Sequence, residues 1–154
     1  MTDREERQES QGSQESSRTY NHRTTVSLYD TDGAGLLFFG NHFRLHEDAY
    51  EAFLEEHWLS VGQVLREGRW LIPLVHAEAD YNFPLTVGDR LVIRMSCETL
   101  SEHSFVLVSV FYKDGTAEAA RVRTVHVLVD RQSGDKAPLP DNLRTALAGI
   151  QTEA

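Results

Sequence analysis

Residues 29–43 read Tyr-Asp-Thr-Asp-Gly-Ala-Gly-Leu-Leu-Phe-Phe-Gly-Asn-His-Phe, and they join two different sequence patterns. Before them, β-branched and aromatic residues favour a strand over residues 20–29. Within them, two glycines indicate a loop. After them, aromatic residues recur at steps of three and four. This spacing predicts a long helix that begins near Phe39 to Asn41 and ends near His57.

The sequence beyond this helix has a different pattern. Four segments are rich in Val, Ile, Phe and Tyr, and they predict strands at residues 74–83, 90–100, 105–112 and 117–129. The pair Asp114-Gly115 predicts a hairpin turn between the last two strands. Short helices are expected at residues 61–68 and 141–150. A long helix followed by antiparallel strands predicts an α+β fold in which the helix covers one face of the sheet.

Length and composition bound the class of protein. The 154 residues fit one domain, which we place at residues 20–150. Residues 1–19 are polar after Met1 and predict a disordered tail. No apolar run approaches the roughly 20 residues needed to span a bilayer. The lone Cys97 excludes an intramolecular disulfide and favours a reducing, cytoplasmic location. A net charge of −9 argues against nucleic acid as a partner.

Asp32 is the carboxylate that the sequence places in a position suited to catalysis. Asp32 precedes Gly33 shortly before the predicted helix start, where backbone N–H groups near Phe39 and Gly40 lack helical acceptors. Such a terminus stabilises an oxyanion, and a carboxylate beside it acts as a general base or a nucleophile. Gly35 allows a substrate to approach the backbone closely. From the residues alone, an ordinary turn is the commoner role of an Asp-Gly pair.

Residues 29–43 resemble the opening motif of the hotdog-fold thioesterases of the 4-hydroxybenzoyl-CoA thioesterase type. Residues 49–54, 72–77 and 83–91 continue the resemblance, which covers about residues 20–145. It implies a hotdog fold, an antiparallel sheet wrapped around one long central helix. It also implies a homodimer or homotetramer with active sites at the dimer interface. In this family the counterpart of Asp32 is the catalytic carboxylate, and the N–H of the counterpart of Phe39 polarises the thioester carbonyl.

Within the family, residues 30–35, 74–77 and 136–140 are most similar to the subgroup that hydrolyses 1,4-dihydroxy-2-naphthoyl-CoA in menaquinone and phylloquinone synthesis. The resemblance therefore implies hydrolysis of an aryl-CoA thioester to the free acid and CoA. Three alternatives stay open: a broader acyl-CoA or acyl-carrier-protein thioesterase, a dehydratase of the same fold, and a module that only binds acyl thioesters. A dehydratase needs a paired acid and base, which the sequence does not offer.

The expected site residues form three groups. The catalytic group is Asp32, Phe39 and Gly40. The expected substrate-binding residues are Gly35, Leu36, Asn41, His46, Val75 and His76. The expected CoA-binding residues are His103, Ser104, Arg123 and Lys136. No cofactor is expected beyond the CoA of the substrate. No metal is expected either, because His42 and His46 have metal-ligand spacing without a third ligand.

Overall fold

The structure is a computed structural model that describes residues 18–153, so the predicted tail lies almost wholly outside the described residues. The strands are β1 Tyr20–Thr25, β2 Trp70–Leu71, β3 Leu74–Tyr81, β4 Arg90–Leu100, β5 Ser104–Lys113, β6 Ala117–Val127 and β7 Val129–Asp130. The helices are α1 Asn41–His57, α2 Val61–Glu67 and α3 Asp141–Ala148.

The main sheet has five strands in the order β1-β4-β5-β6-β3, and every neighbouring pair is antiparallel. Together with the three helices, this confirms the predicted α+β class. Asp114 and Gly115 both have positive φ in the β5–β6 turn, which is the geometry that a tight hairpin requires. None of the helices in residues 18–153 is both long enough and apolar enough to cross a membrane.

Helix α1 contributes buried side chains between His42 and Leu54 to the core. Its N-terminal half supplies Leu45 and Ala49 to one buried cluster, and its C-terminal half supplies Phe53 to a second. The residues whose spacing predicted the helix are exposed at both ends of the series. Phe39 is 63% exposed because it precedes the first helical residue, and the side chain of the last helical residue, His57, is 47% exposed.

The first strand is shorter than predicted. It ends at Thr25, and Leu28–Asp30 form a single turn of 3₁₀ helix instead. The turn forms because the buried Asp30 carboxylate accepts a hydrogen bond from the Ser27 N–H at 3.2 Å. The sequence also gave no sign of the two-stranded sheet of β2 and β7. Helix α3 ends two residues earlier than predicted.

Candidate active site

The Asp32 carboxylate is held by the loop that follows it. Its Oδ1 accepts hydrogen bonds from the N–H groups of Ala34 at 2.8 Å and Leu36 at 3.3 Å. The Gly35 N–H donates to the Asp32 carbonyl, and Gly35 takes the left-handed φ of +77° that closes the turn. Within residues 18–153 no donor contacts Oδ2. The loop therefore holds one carboxylate oxygen, and the other has no protein partner in the described chain.

A cleft of about 380 Å³ opens beside this carboxylate. Its walls are mostly apolar, as is usual for sites that bind small organic molecules. The lining residues are Asp32, Leu36, Leu37, Phe39, His42, Tyr81, Asn82, Phe83, Pro84 and Leu85. The structure thus brings Asp32 together with Phe39, as the sequence predicted, and places Leu36 beside them.

The start of α1 supplies the donors that the sequence predicted. The N–H groups of Phe39 and Gly40 find no acceptor within the described part of the chain. The neighbouring carbonyl of Phe38 is engaged, because the Asn41 N–H donates to it at 2.9 Å. Free N–H groups at a helix N-terminus stabilise negative charge. The Phe39 and Gly40 N–H groups are therefore available to an anionic or partly charged acceptor.

Behind the loop lies a polar network that fixes its shape. The Asp30 carboxylate, 1% exposed, forms an ion pair with Arg44, which also contacts Asp48 at 3.0 Å. The Asn41 side-chain amide donates to the Asp30 carbonyl at 2.7 Å. Asn41 therefore contacts the loop backbone and does not line the cleft, where substrate contact was expected of it.

Two of the cleft residues that were not predicted as part of the site lie within hydrogen-bond distance of the Phe39 carbonyl. The Tyr81 hydroxyl donates to the Phe39 carbonyl at 3.0 Å, and His42 Nδ1 lies 3.1 Å from the same oxygen. Burial lowers the pKa of His42, so its ring is neutral at pH 7. In the sequence, the spacing of His42 and His46 pointed only to a metal ligand. No sequence signal pointed to Tyr81, which is 42 residues away from Phe39.

Comparison with known proteins places this arrangement in a family. The profile of the thioesterase-like superfamily matches residues 26–147. The chain belongs to this superfamily. A 1,4-dihydroxy-2-naphthoyl-CoA hydrolase from Synechocystis is 32% identical over 133 residues, which are 86% of this chain and 96% of that protein. The family resemblance drawn from residues 29–43 is thereby confirmed.

Solved structures of thioesterases show the same fold. The crystal structure of a 1,4-dihydroxy-2-naphthoyl-CoA thioesterase from Synechocystis superposes with a TM-score of 0.80 at 34% identity, covering 84% of this chain and 96% of that one. A gentisyl-coenzyme A thioesterase superposes with a TM-score of 0.73 at 27% identity, covering 83% and 98%. These thioesterases act on CoA esters of two different aromatic acids.

Another predicted substrate contact, His46, lies in the core of this thioesterase-like domain. Its side chain is fully buried, with Nδ1 2.8 Å from the Ser109 hydroxyl and Nε2 2.9 Å from the Thr124 hydroxyl. Burial lowers the pKa of His46 to about 4. His126 shares the Thr124 hydroxyl, and its pKa is lowered to about 3 by burial and by the nearby His46. The structure does not bring His46 to the Asp32 cleft.

Val75 and His76 lie on the open edge of the sheet, outside the Asp32 cleft of the same chain. Val75 is 58% exposed, and the exposed His76 ring lies 3.2 Å from the Glu78 carboxylate. The His76 side chain is exposed because, among residues 18–153, β3 pairs only with β6 and has no strand on its other side.

The four predicted CoA-binding residues do not lie together. Arg123 is engaged by the carboxylates of Glu98 at 2.7 Å and Glu78 at 3.7 Å, and these carboxylates raise its pKa. The other three residues lie at the end of β6 and beside β7. Their backbones contact residues 127–129, and they are His103, Ser104 and Lys136. None of the four lines the Asp32 cleft. Among residues 18–153, no group of three or more His, Cys, Asp or Glu side chains is placed to hold a metal ion.

Proposed function

We propose that this protein hydrolyses an aryl-CoA thioester, with 1,4-dihydroxy-2-naphthoyl-CoA as its substrate. The observation that carries the proposal is the cleft, which is lined both by Asp32, with no donor to its Oδ2 in residues 18–153, and by Phe39, whose N–H has no acceptor there. The named activity of relatives that match most of this chain supports the same substrate.

The chemistry follows from these two features. The thioester oxygen accepts hydrogen bonds from the N–H groups of Phe39 and Gly40, which polarise the carbonyl carbon. Asp32 Oδ2 then either attacks this carbon, expelling the CoA thiolate and leaving a mixed anhydride that water cleaves, or takes a proton from the water that attacks. Both routes convert thioester and water into acid and thiol. One oxyanion donor contributes about a hundredfold or more to the rate.

We further propose that the working unit is a homodimer, or a pair of dimers, in which α1 is the central helix of each hotdog. The support is the outer edge of β3, where Leu74 and Val75 are about half exposed and no strand of the described chain pairs with the backbone. An apolar, unpaired edge favours pairing with another strand. Such pairing would also place the exposed His76 at an interface. Sedimentation equilibrium of the full chain measures the association state.

A broader aromatic or aliphatic acyl specificity is the second candidate. The likeness to a gentisyl-coenzyme A thioesterase favours the aromatic part of this range, because the name of that protein gives the CoA ester of a single-ring acid as its substrate. A binding module without turnover is the third. A free carboxylate oxygen in the cleft argues against it, since binding alone does not require one. His103, Ser104 and Lys136 remain the proposed contacts for CoA. We propose that the reaction uses no cofactor and no metal ion.

The deciding experiment measures thiol release by the purified chain. The substrates are the CoA esters of 1,4-dihydroxy-2-naphthoate, 4-hydroxybenzoate and benzoate, and several straight-chain acyl-CoAs. Asp32→Asn is assayed in parallel, with Asp114→Asn as the matched control. Asp114 lies in the β5–β6 turn at a φ of 51°, a conformation that Asn accepts readily.

We expect preference for the naphthoyl ester and a loss of about 10²- to 10⁴-fold in kcat for Asp32→Asn, since its amide is neither a base nor a strong nucleophile. The control variant keeps the activity of the wild type. A folded Asp32→Asn variant with normal turnover would overturn the role of Asp32. Equal turnover of aliphatic esters would favour the broader specificity, and no turnover of any substrate would favour carrier-protein esters or the binding module.

A further inference from the structure

Three hydrogen-bonding groups lie close to the carbonyl oxygen of Phe39. It accepts from the Tyr81 hydroxyl at 3.0 Å and from the His42 backbone N–H at 3.4 Å, and it lies 3.1 Å from His42 Nδ1. A carbonyl oxygen only accepts hydrogen bonds, so Nδ1 carries the ring proton. Donors from β3 and from α1 therefore converge on one oxygen.

The position of this oxygen matters because of its peptide plane. The Phe39 carbonyl and the Gly40 N–H belong to one planar peptide, in which they point in opposite directions. Fixing the carbonyl therefore fixes the direction of the Gly40 N–H. That N–H is one of the two without an acceptor in residues 18–153, and it directly follows Phe39, which lines the Asp32 cleft.

We propose that Tyr81 and His42 are positioning residues that hold the Phe39–Gly40 peptide, so that the Gly40 N–H points at the developing oxyanion. The inference rests on the proposed thioesterase activity and extends it to residues that do not touch the reacting atoms. Oxyanion donors contribute most when their orientation is set before the reaction. A loop peptide without such hydrogen bonds would have to be ordered during each turnover.

The contacts of Tyr81 and His42 distinguish a role in positioning the Phe39–Gly40 peptide from a role in packing alone. The Tyr81 ring meets His42 edge to face at a centroid distance of 4.7 Å, and His42 also contacts Phe111 in the core. His42 is 5% exposed, whereas Tyr81 is 45% exposed. Water could satisfy the exposed Tyr81 hydroxyl, so its contact with Phe39 is not needed to compensate burial. Removing this hydroxyl leaves the ring contacts in place.

Tyr81→Phe is therefore the test, with Tyr112→Phe as the matched control. Tyr112 lies on β5 outside the cleft, where its ring stacks on Arg94. Two quantities are measured: steady-state kinetics with the naphthoyl-CoA ester, and the Gly40 amide resonance by ¹⁵N–¹H NMR. For Tyr81→Phe we expect kcat to fall about threefold to tenfold, the effect of one neutral hydrogen bond, with little change in KM. The Gly40 amide resonance shifts, while thermal unfolding and the control variant remain as in the wild type.

A second pair of variants tests His42. His42→Gln retains an N–H donor and is expected to keep more of kcat than His42→Leu, which has none. An unchanged Gly40 resonance in Tyr81→Phe would overturn the inference, and so would a shifted resonance with unchanged kcat. Failure of the wild type to cleave any thioester would refute the proposed function instead. The Gly40 resonance would still report whether Tyr81 orients the peptide.

Discussion

The back and the front of the loop at residues 30–40 contain the same kinds of residue in opposite environments. At the back, Asp30 is 1% exposed and paired with Arg44. At the front, Asp32 is exposed, and only one of its oxygens is occupied by protein donors in the described chain. Two aspartates separated by one residue thus differ in burial, in partners and in the chemistry open to them.

The difference shows what each position requires. A buried carboxylate is tolerated only when its charge is paired and its oxygens are hydrogen-bonded. A reacting carboxylate needs one oxygen without a partner and room for a substrate. Under the proposed function, the back of the loop contributes to stability and the front contributes to catalysis. Variants at the two aspartates should separate the two contributions.

Asp30→Asn should cause the larger loss of stability. The amide keeps the shape of the side chain but loses the ion pair with Arg44, whose own side chain is 37% exposed and can turn toward water. We expect the free energy of unfolding to fall by about 2–4 kcal/mol. Urea denaturation measures it. Asp32→Asn should stay within about 0.5 kcal/mol of the wild type, as is usual at exposed positions. Equal losses in both variants would remove the distinction between back and front.

Protonation of the core histidines should reduce stability at mildly acidic pH. His46, with a folded-state pKa of about 4, binds its proton more weakly than in the unfolded chain, where the pKa is about 6.5. Its contribution is complete above pH 6.5 and is lost as the pH falls from 6.5 toward 4. The lowered pKa values of His42 and His126 act in the same direction. We expect a loss of about 2 kcal/mol from His46 alone at pH 5.

Urea denaturation between pH 7.5 and 5 tests this expectation. His46→Gln should lower stability at pH 7.5 but reduce the dependence on pH. His57→Gln serves as the control, because the His57 side chain is 47% exposed and its substitution leaves the buried histidines unchanged. A wild-type stability that is flat over this range would show that the core histidines do not bind protons more weakly in the folded chain.

Local sequence pattern was sufficient for the long elements. Alternation in residues 90–100 and the pair Asp114-Gly115 predicted β4 and the β5–β6 hairpin, because both signals lie within a few neighbouring residues. The strand predicted to reach Tyr29 failed for a tertiary reason. Asp30 is stabilised by Arg44, 14 residues later, and this contact favours a turn over continued extension.

In the candidate site, too, local sequence patterns predicted the local features and missed those that depend on tertiary contacts. The placement of Asp32 beside the start of α1 follows from residues 32–41, so the sequence predicted it. The contact between Tyr81 and Phe39 depends on how the end of β3 meets the start of α1, and the neighbours of Tyr81 carry no sign of it. His46 was expected to contact substrate, but its burial depends on hydroxyls that β5 and β6 supply.

The smallest expected effect distinguishes two glycines of the same loop. Neither Gly33 nor Gly35 has an atom within 4 Å of an added Cβ, so neither substitution causes a clash. Only Gly35 has a positive φ, +77°, and Gly35→Ala should therefore cost about 1 kcal/mol of unfolding free energy. Gly33→Ala should be neutral or stabilise by up to about 1 kcal/mol, because alanine restricts the unfolded chain. Urea denaturation of both variants measures the difference, and equal effects would show that the turn holding Asp32 does not depend on the left-handed residue.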